Sequence, residues 1–553
     1  MSYNILGIHP GHNGSAALIS DGKLIYYLEE ERLSREKYDG NPFRVMSDIF
    51  SKYKVNKLVI GGTNDISENI VLPLTSENPY ACLARKYNPN IEVIIMNQHH
   101  HILHSLIARF KSGFKECAIL IIDGAGTQQP IEVSKGIFTN GYEAETILLS
   151  KDKFDFKSLY KSYGGDLNNS FKNDIIIIDS TSTIVRCYEG ISHYLGFHPL
   201  EAGKTMGMSS YGKFNSNIPK LFKNGRGNKS VFINRYPQHP IIDVENNPIF
   251  QDKDKIKADL AWHIQNETQN EVVKLIQKTI NLSKLNKICV VGGYGLNCVN
   301  NYFLKKTFPN TQIYHEPISH DGGTAIGAAI YGWVSSKKEI PIVPNTLYLG
   351  PKYTINQYLK ILKSYNNMFN QYKITPEQIA KLISKRNIVC IFQGRSEAGP
   401  RALGNRSILY DPTDPNGKDF VNKVKKREWF RPFAGTVLLE KANEWFDMAG
   451  LEESPFMMYA MDVWPDKQEQ IKAITHVDGT CRIQTVTEEQ NPHYYKLIQE
   501  FEKITGVPIL FNTSFNLAGD PLVETIEDAL ETILKSELKY LYLPELEMLL
   551  EKK

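Results

Sequence analysis

The sequence lacks the features that mark membrane proteins, secreted proteins and zinc-finger proteins. No apolar run approaches the roughly 20 residues that a membrane-spanning helix needs, and the start of the chain has neither the basic region nor the cleavage site of a signal peptide. Seven cysteines are scattered through apolar stretches, without a CxxC pair. We therefore expect a cytoplasmic protein with reduced thiols, no disulfide framework and no membrane association.

A large excess of charge, internal repeats and long low-complexity segments are also absent. The formal net charge of +3 is too small to predict nucleic-acid binding, and it does not exclude it, because a local basic patch decides that property. The 553 residues, 42% of them hydrophobic and 23% charged, are ordinary for a globular protein but too many for one hydrophobic core. We expect two domains, with the boundary in the Pro- and Gly-rich residues 341–352.

Short apolar runs predict strands that alternate with helices, which favours an α/β fold. We expect buried strands at residues 5–7, 15–19, 58–61, 93–96, 117–122, 288–291, 388–392 and, as the last strand, 507–511. We expect helices at residues 100–110, 184–197, 256–282, 325–333 and 526–536. The polar residues 151–174 predict an irregular excursion.

One constellation of residues is typical of a metal site. His100 and His104 are four apart and therefore share one face of a helix. Asp123 ends an apolar strand before glycines, and Asp321 repeats that arrangement before a helix. Two imidazoles and two carboxylates favour iron, manganese or zinc over calcium. The alternative is a His-rich helix start with two N-capping aspartates.

Two glycine-rich turns suggest that the chain handles a nucleotide. Gly11-His12-Asn13-Gly14-Ser15 joins two strands, and its amides could hold a phosphate. Gly292-Gly293-Tyr294-Gly295-Leu296-Asn297 follows a buried strand, where a backbone can approach an adenosine closely. Each turn alone is a weak signal, but together they indicate the duplicated ATPase fold that actin and sugar kinases share.

A third constellation is basic and lies in the C-terminal part. Residues 394–407 place three arginines, Arg395, Arg401 and Arg406, in a glycine-rich loop. Further cationic residues follow at Lys425, Lys426, Arg427, Arg431 and Arg482, and residues 512–516 read Asn-Thr-Ser-Phe-Asn. Guanidinium forks and an ammonium group suit a small polyanion such as carbamoyl phosphate or ATP. A surface salt-bridge cluster or a nucleic-acid patch remains the alternative.

These segments together resemble the NodU/CmcH carbamoyltransferases over nearly the whole chain. The matching segments are residues 11–17, 100–104, 203–208, 292–298, 321–324, 395–407, 425–433, 476–482 and 512–516. The arginine loop and the Arg-Glu-Trp-Phe-Arg-Pro-Phe segment at 427–433 are long and specific. The resemblance implies an ATP-dependent O-carbamoyltransferase.

The resemblance also implies an α/β fold in two domains. Residues 1–345 would form a duplicated, actin-like (ASKHA) carbamoyl-transfer domain with the metal site, similar to the catalytic subunit of the threonylcarbamoyl-adenosine tRNA-modification machinery. Residues 346–553 would form a YrdC-like α/β domain that makes carbamoyl-adenylate from carbamoyl phosphate and ATP, the latter with Mg²⁺. A homodimer is the oligomeric state that the family suggests.

Roles for individual residues follow from the same resemblance. Carbamoyl phosphate and the ATP phosphates would be bound by Lys425, Arg431, Arg482, Asn512 and Ser514, with Arg401 and Arg406 as helpers. Carbamoyl-adenylate would be bound in the first domain by Gly203, Lys204, Gly292, Gly293 and Asn297. A divalent metal, expected to be iron(II) with manganese or zinc as alternatives, would be held by His100, His104, Asp123 and Asp321. His12 would be the general base.

The chain departs from the family at two positions near the N-terminal cleft. The family commonly has Asp at the position of Asn13, and it commonly has Glu in the segment that reads Gly126-Thr127-Gln128-Gln129 here. Both changes affect the expected acceptor pocket more than the activation chemistry.

The acceptor itself stays open. A small-molecule hydroxyl, such as that of a sugar, is the default, and a hydroxymethylated pyrimidine in DNA or a nucleotide is the alternative. Residues 151–172 mix lysines with Phe154, Phe156, Tyr160 and Tyr163, as single-stranded nucleic-acid sites do. A non-catalytic nucleotide-binding regulator on the same fold is a further hypothesis, against which the intact His pair, both aspartates and the arginine loop argue.

Overall fold

The structure is a computed structural model that describes most of the chain. The described residues are 2–62, 78–151, 155–165, 170–172, 175–179, 181, 183–222 and 231–553. None of the helices in these ranges is both long and apolar enough to cross a bilayer. All seven cysteines carry free thiols.

The chain forms two compact units. The first consists of Met1–Glu30 and Tyr38–Asn345, and the second of Glu31–Lys37 and Thr346–Lys553. The short segment Glu31–Lys37 contains helix α1 (Glu31–Ser34) and belongs to the second unit. Arg32 Nη2 donates to the carbonyl of Gly399 at 2.7 Å, and Arg35 Nη1 donates to that of Leu522 at 2.7 Å. These charge-assisted hydrogen bonds attach the segment to the rest of its unit.

The first sheet of the first unit has five strands in the order β3-β2-β1-β4-β5. They are β1 (Asn4–His9), β2 (Ser15–Ser20), β3 (Lys23–Glu29), β4 (Lys57–Ile60) and β5 (Glu92–Ile95). The first three form an antiparallel meander, whereas β4 is parallel to β1 and β5 to β4. Every residue of β1 is buried, as expected for the centre of a covered sheet.

The second sheet of the first unit repeats this arrangement. The remaining strands of the unit are β6 (Cys117–Ile122), β7 (Gln128–Ser134), β8 (Ile137–Ser150), β9 (Lys157–Gly165), β10 (Ser170–Lys172), β11 (Ile175–Asp179), β12 (Phe232–Ile233), β13 (Ile241–Ile242), β14 (Lys287–Val291) and β15 (Gln312–His315). Strands β6, β8 and β9 form an antiparallel meander, and β14 and β15 continue the sheet in parallel from β6. The predicted α/β class and the duplicated actin-like domain are therefore confirmed.

The helices of the first unit are α2 (Phe43–Lys52), α3 (Pro79–Tyr87), α4 (His100–Lys111), α5 (Ile184–Tyr194), α6 (Ala202–Ser209), α7 (Lys253–Ser283), α8 (Cys298–Thr307) and α9 (Thr324–Lys337). Four of them, α4, α5, α7 and α9, lie close to the predicted positions, and the others were not predicted. Helix α9 packs against both β1 and α4 at glycines. A Cβ at Gly7 would lie 2.2 Å from the carbonyl oxygen of Ala325, and one at Gly327 would lie 2.1 Å from that of Leu103. The close approach that Gly7 and Gly327 allow therefore sets the position of α4.

The second unit is built on one nine-stranded mixed sheet. In chain order its strands are β16 (Phe369–Lys373), β17 (Val389–Phe392), β18 (Arg406–Tyr410), β19 (Ala434–Leu438), β20 (Ala460–Asp462), β21 (Thr480–Val486), β22 (Ile509–Ser514), β23 (Tyr540–Leu543) and β24 (Met548–Lys552). Their order in the sheet is β16-β24-β23-β17-β18-β22-β19-β21-β20. The helices are α10 (Ile355–Ser364), α11 (Pro376–Ser384), α12 (Gly417–Val424), α13 (Ala442–Trp445), α14 (Pro492–Thr505) and α15 (Ile526–Leu534). Capping boxes begin α10, α11 and α15.

Three details of the prediction are wrong. Residues 151–174 are not an irregular excursion, because β9 and β10 lie within them and β9 pairs with β8. Strand β22 is not the last strand, since β23 and β24 follow α15. The strand predicted as buried at residues 93–96 is the edge strand β5, where Ile95 is 53% exposed.

The first error also weakens the case for a nucleic-acid surface at residues 151–172. Tyr160 and Tyr163 are buried, and Lys161 pairs with Glu143. These side chains are therefore not a stacking platform, and Phe154 lies outside the described residues.

Substitution of Gly327 by Ala tests whether glycine sets the position of α4. The added methyl group would overlap the Leu103 carbonyl, so we expect the free energy of unfolding to fall by about 1–3 kcal/mol in chemical denaturation. Gly203→Ala in α6 is the matched control, because a Cβ there meets nothing within 4 Å. That variant should be unchanged or up to about 1 kcal/mol more stable. Equal losses in the two variants would contradict the packing argument.

Candidate functional site

Four ionisable side chains converge inside the first unit. His100 and His104 lie one turn apart on α4, Asp123 follows β6, and Asp321 begins the short 3₁₀ turn Asp321–Gly323 that leads into α9. One ligand atom from each lies within 4.8 Å of all the others, and all four residues are buried. The structure therefore brings together the four residues predicted as metal ligands.

The spacing within this cluster suits a divalent transition metal. The Nε2 atoms of His100 and His104 are 3.1 Å apart, and His100 Nε2 is 3.2 Å from Asp123 Oδ2. Asp321 Oδ1 lies 3.7 Å from each Nε2. Ligands about 2.1 Å from one ion stand roughly 3.0–3.4 Å from each other in octahedral or tetrahedral geometry. The four side chains could therefore hold such an ion with small adjustments.

The electrostatics of the cluster also suit a divalent cation. Burial alone would raise the pKa of Asp321, but His12 and His100 outweigh it and hold this pKa well below its ordinary value. Burial lowers the pKa of His100, and the carboxylates of Asp321 and Asp123 overcome this and raise it to about 10. Two ionised carboxylates in a buried space thus draw positive charge onto an imidazole. A divalent cation would neutralise them more completely.

The predicted glycines Gly292 and Gly293 lie directly beside Asp123. The backbone N–H of Gly293 donates to Asp123 Oδ1 at 3.2 Å, which orients the carboxylate. Gly292 has a φ of 95°, and a Cβ there would lie 2.4 Å from the carbonyl oxygen of Ile122. Glycine is needed at this position because the turn passes so close to the end of β6.

His12 lies at the edge of the cluster, where a substrate can reach it. Its Nε2 is 3.4 Å from Asp321 Oδ2, and 46% of its side chain is exposed. Its Nδ1 is 3.3 Å from Oδ1 of Asn13, which adopts a left-handed conformation. The residue predicted as general base therefore stands next to the candidate metal ligands.

His9 is part of this site, although no role was predicted for it. It is buried at the end of β1, with Nε2 4.0 Å from Asp321 Oδ2 and Nδ1 2.8 Å from Thr324 Oγ1. Burial lowers its pKa to about 3, so it is neutral at physiological pH. A polar residue at the carboxyl end of a buried strand, as at Asp123, was the signal that could have found it.

The remaining predicted adenylate-binding residues are placed less directly. Lys204 on α6 pairs with Glu201 at 2.8 Å, and Gly203 is exposed on the same helix. Asn297 caps α8, and its amide exchanges hydrogen bonds of 3.2 and 3.0 Å with Gln265. The structure thus gives Asn297 a part in the fold, and in the described part of the chain no hydrogen bond joins it to the metal-ligand cluster.

Positive charge is buried in the second unit at the end of α12. Lys425 is 2% exposed, and its Nζ donates to the carbonyl of Ser514 and to Asn516 Oδ1, the latter at 3.1 Å. Burial lowers the pKa of Lys425 well below its ordinary value, and Arg427 and Arg431 lower it further. Its hydrogen bonds are to neutral oxygens, so no carboxylate among the described residues is bonded to Nζ and offsets the charge.

Three guanidinium groups extend this cationic cluster. Burial and the nearby charges of Arg431 and Arg482 lower the pKa of Arg427, which lies 4.9 Å above the ring of Phe433. Arg431 pairs with Glu428 at 3.5 Å. The Nε of Arg482 is buried and has no hydrogen-bond partner among the described residues. Burial lowers the pKa of Arg427, as it does that of Lys425, and so distinguishes these two from the other cations of the basic run, a difference that the sequence does not reveal.

Asn512 and Ser514 lie on β22 close to this cluster. Asn512 Nδ2 donates to Thr436 Oγ1 at 3.0 Å, and its buried Oδ1 has no partner among the described residues. Ser514 Oγ donates to Asn516 Oδ1 at 2.6 Å. The cluster therefore offers neutral polar groups beside its cations, as a phosphate site does.

Arg406 does not belong to this candidate anion site. It is completely buried, its guanidinium lies 3.7 Å above the ring of Phe392, and it donates to the carbonyls of Gln393 and Glu524 at 2.5 and 3.4 Å. The structure thus assigns Arg406 to holding the arginine loop in shape. Arg401 lies half-buried in that loop.

Comparisons with known proteins place both clusters in one family. A family described as Carbamoyltransferase N-terminus matches residues 52–330, and one described as Carbamoyltransferase C-terminus matches residues 380–551. An uncharacterized protein of Methanocaldococcus jannaschii is 30% identical over 98% of both chains. The chain belongs to the carbamoyltransferase family.

Other relatives of this carbamoyltransferase include nodulation proteins. NolNO of Sinorhizobium fredii is 28% identical over 95% of this chain and 77% of its own, and nodulation protein U of Rhizobium tropici is 34% identical over 42% and 39%. Among solved structures, full-length HypF in its phosphate- and nucleotide-bound form is 10% identical, covers 61% of this chain and 56% of its own, and gives a TM-score of 0.33. That value is too low to support an argument. The family match makes the protein a carbamoyl-transferring enzyme.

Removal of one candidate ligand tests the metal site of this carbamoyltransferase. His104→Ala is expected to lower the affinity for a divalent metal at least tenfold, because outer partners of metal ligands alone contribute tenfold to a hundredfold. Protein loaded anaerobically with iron(II) and desalted would be analysed by elemental mass spectrometry and thermal unfolding. His99→Ala is the matched control, since His99 is exposed and lies just before α4. Equal metal content in wild type and both variants would rule out the site.

Substitution of Lys425 tests the cationic cluster through its effect on the melting temperature. A buried lysine with a lowered pKa destabilises the fold while it is protonated in the unfolded chain, so Lys425→Met should raise the melting temperature without ligand. The gain should be largest below the folded-state pKa and should shrink as pH rises toward the ordinary lysine pKa, since proton uptake on unfolding then stops. Phosphate should stabilise wild type but not the variant. Lys423→Met, at an exposed position, is the control; a gain there too would contradict the assignment.

Proposed function

We propose that this protein is an ATP-dependent O-carbamoyltransferase that forms carbamoyl-adenylate in the second unit and transfers its carbamoyl group in the first. The observation that carries the proposal is a pair of buried sites with opposite charge imbalance. The charges of the lysine and arginine cluster suit an anion, whereas those of the His and Asp cluster suit a cation. Direct transfer from carbamoyl phosphate would not need two such separate sites.

The reaction divides into balanced steps. Water cleaves carbamoyl phosphate to carbamate and phosphate, and a carbamate oxygen then attacks the α-phosphorus of ATP. The bond between the α- and β-phosphates breaks, which releases pyrophosphate and leaves carbamoyl-adenylate. The oxygen of the acceptor hydroxyl attacks the carbamoyl carbon, the bond from this carbon to the AMP oxygen breaks, and the hydroxyl proton passes to a base.

The cationic cluster supports the activation half of this reaction. Lys425, Arg427, Arg431 and Arg482 would bind the phosphate groups of carbamoyl phosphate and of ATP with its Mg²⁺. Positive charge fixed in a partly dry site stabilises the charge that develops on the leaving pyrophosphate more than it would in water. Asn512 would orient the carbamate through its hydrogen-bonding groups.

The His and Asp cluster supports the transfer half. His100, His104, Asp123 and Asp321 fit iron(II), with manganese or zinc as alternatives, by donor type and by spacing. A metal bound there would supply positive charge that makes AMP a better leaving group. The hydrogen bond from Gly293 to Asp123 would keep this carboxylate aimed at the ion, as outer-shell partners do.

His12 would remove the proton from the acceptor hydroxyl. Nδ1 would donate to Asn13 Oδ1 in the tautomer that leaves Nε2 as the basic nitrogen, and Nε2 is the ring atom that lies nearer the metal-ligand cluster. An alcohol is a weak nucleophile until a base takes its proton, so His12 would act where the carbamoyl carbon is attacked. Asn13 would fix the tautomer of the ring.

A split assay tests the proposal. With ATP, carbamoyl phosphate, Mg²⁺ and iron(II), wild type is expected to release pyrophosphate and phosphate slowly without an acceptor. Lys425→Met should lower pyrophosphate release at least a hundredfold. His12→Ala should lower carbamoyl-ester formation by about 10²–10⁴-fold while pyrophosphate release continues.

The surface variants Lys423→Met and His99→Ala serve as controls and should keep both activities. Wild type that releases no pyrophosphate, with or without hydroxyl compounds, would overturn the carbamoyl-adenylate proposal. Loss of both half-reactions in each site variant would contradict the assignment of one half-reaction to each unit.

A further inference from the structure

A second basic cluster lies in the first unit, outside the metal-ligand cluster. Helix α5 contributes Arg186 and His193, which are seven residues apart and therefore share one face of the helix. The loop between β12 and β13 contributes Arg235 and His239, and it turns where the N–H of Gln238 donates to the carbonyl of Arg235 at 2.9 Å. The ring centroids of His193 and His239 are 5.0 Å apart.

Among the described residues, one carboxylate pairs with this cluster. Glu189 accepts from Arg186 Nη1 at 2.9 Å, but among the described residues no carboxylate pairs with Arg235, His193 or His239. The Nε of Arg186 and Nε2 of His239 are buried and have no hydrogen-bond partner in the part of the chain that the structure describes. Burial, and then His193 and Arg186, lower the pKa of His239 to about 4. His239 is therefore neutral at physiological pH but can still donate one N–H. An anion that accepts from this ring and from Arg186 Nε would satisfy both buried nitrogens.

Aromatic and amide groups connect this basic cluster to the metal-ligand cluster. The guanidinium of Arg186 lies 5.3 Å above the ring of Tyr142, which stacks on Tyr236 at 5.7 Å and 8°. Gln128 Nε2 donates to the hydroxyl of Tyr236 at 2.7 Å, and Gln128 lies five residues after Asp123. Asp123 also acts electrostatically on Arg186. A molecule bound at the basic cluster could thus extend toward the reacting groups.

We propose that this cluster binds a phosphate group of the acceptor, so that the enzyme carbamoylates a hydroxyl of a phosphate ester, specifically a nucleotide. The inference rests on the proposed function for the transfer step but not for the activation step. Arg235 and His193 are exposed and give the phosphate access, whereas the buried Nε of Arg186 and Nε2 of His239 supply further contacts. The half-buried ring of Tyr236, which stacks on Tyr142 and whose hydroxyl accepts from Gln128, is a group that suits a nucleobase or a sugar.

Calorimetric titration with thymidine 5′-monophosphate tests the proposal. The titration uses the full chain carrying Lys425→Met, or Arg482→Gln if that variant does not fold, so that the cationic cluster of the second unit does not contribute. We expect saturable binding that is at least tenfold tighter than that of thymidine. Arg235→Gln together with His239→Gln should weaken it at least tenfold. Arg85→Gln, an exposed arginine at the end of α3, is the matched control and should bind like its parent.

Each outcome decides the question. Absence of binding, equal affinity for thymidine, or equal loss in the Arg85 control overturns the proposal. Loss of binding in saturating AMP also overturns it, because the cluster would then belong to the adenylate. Binding of a single-stranded oligonucleotide that the double substitution weakens identifies DNA as the phosphate source, and its failure to bind identifies the free nucleotide. Pyrophosphate release by wild type is measured separately, so failure of the activation chemistry is distinguished from failure of this inference.

Discussion

The first unit depends on two carboxylates, those of Asp123 and Asp321, that remain ionised in a buried space. Removing an ion from water costs several kcal/mol unless charge and hydrogen bonds replace the solvent, so the surrounding elements are arranged to supply both. The duplicated fold brings the required groups together at the ends of corresponding strands. His9 and the loop with His12 follow β1, and Asp123 follows β6, which is the equivalent strand of the second sheet. Helix α4 then adds both imidazoles, because glycine contacts with α9 set its position.

The second unit contains the opposite imbalance, and this difference gives the two sites separate chemistry. Arg427 and Arg431 lower the pKa of Lys425, and Arg431 and Arg482 lower that of Arg427, so the clustering of these cations opposes folding. A protein that needed only stability would gain by replacing Lys425 with an apolar residue. A binding site retains such a group because the group is needed for activity, although it lowers the stability of the fold. The anion that completes the cluster is a substrate, whereas the cation that completes the first cluster is a resident cofactor in the proposed function.

The sequence predicted those parts of the structure that depend on local pattern. The α/β class, the buried strands near β1, β6 and β14, and the helix that carries His100 and His104 follow from apolar periodicity. Side-chain roles that depend on burial did not follow. Arg406 looks like its neighbouring arginines in sequence, yet it is enclosed and bonded to main-chain carbonyls. Strand β9 was missed because it lies in a segment rich in Lys, Asn and Ser, whose composition does not show that the fold covers Tyr160 and Tyr163.

Charge also explains why activation and transfer would be kept apart. ATP and carbamoyl phosphate together carry several negative charges, so a site that binds them must be strongly positive, and it would release anionic products slowly. Carbamoyl-adenylate carries a single negative charge on its phosphate. In the proposed function, a divalent ion would balance the two carboxylates of the His and Asp cluster and leave it close to neutral, which suits that smaller charge. A strongly cationic site would hold AMP too tightly after transfer, whereas a near-neutral one would let AMP leave. The basic cluster around His239 contains few positive charges, which match one phosphate group and not a triphosphate. It can therefore bind the acceptor without attracting the polyanionic donors to the transfer site.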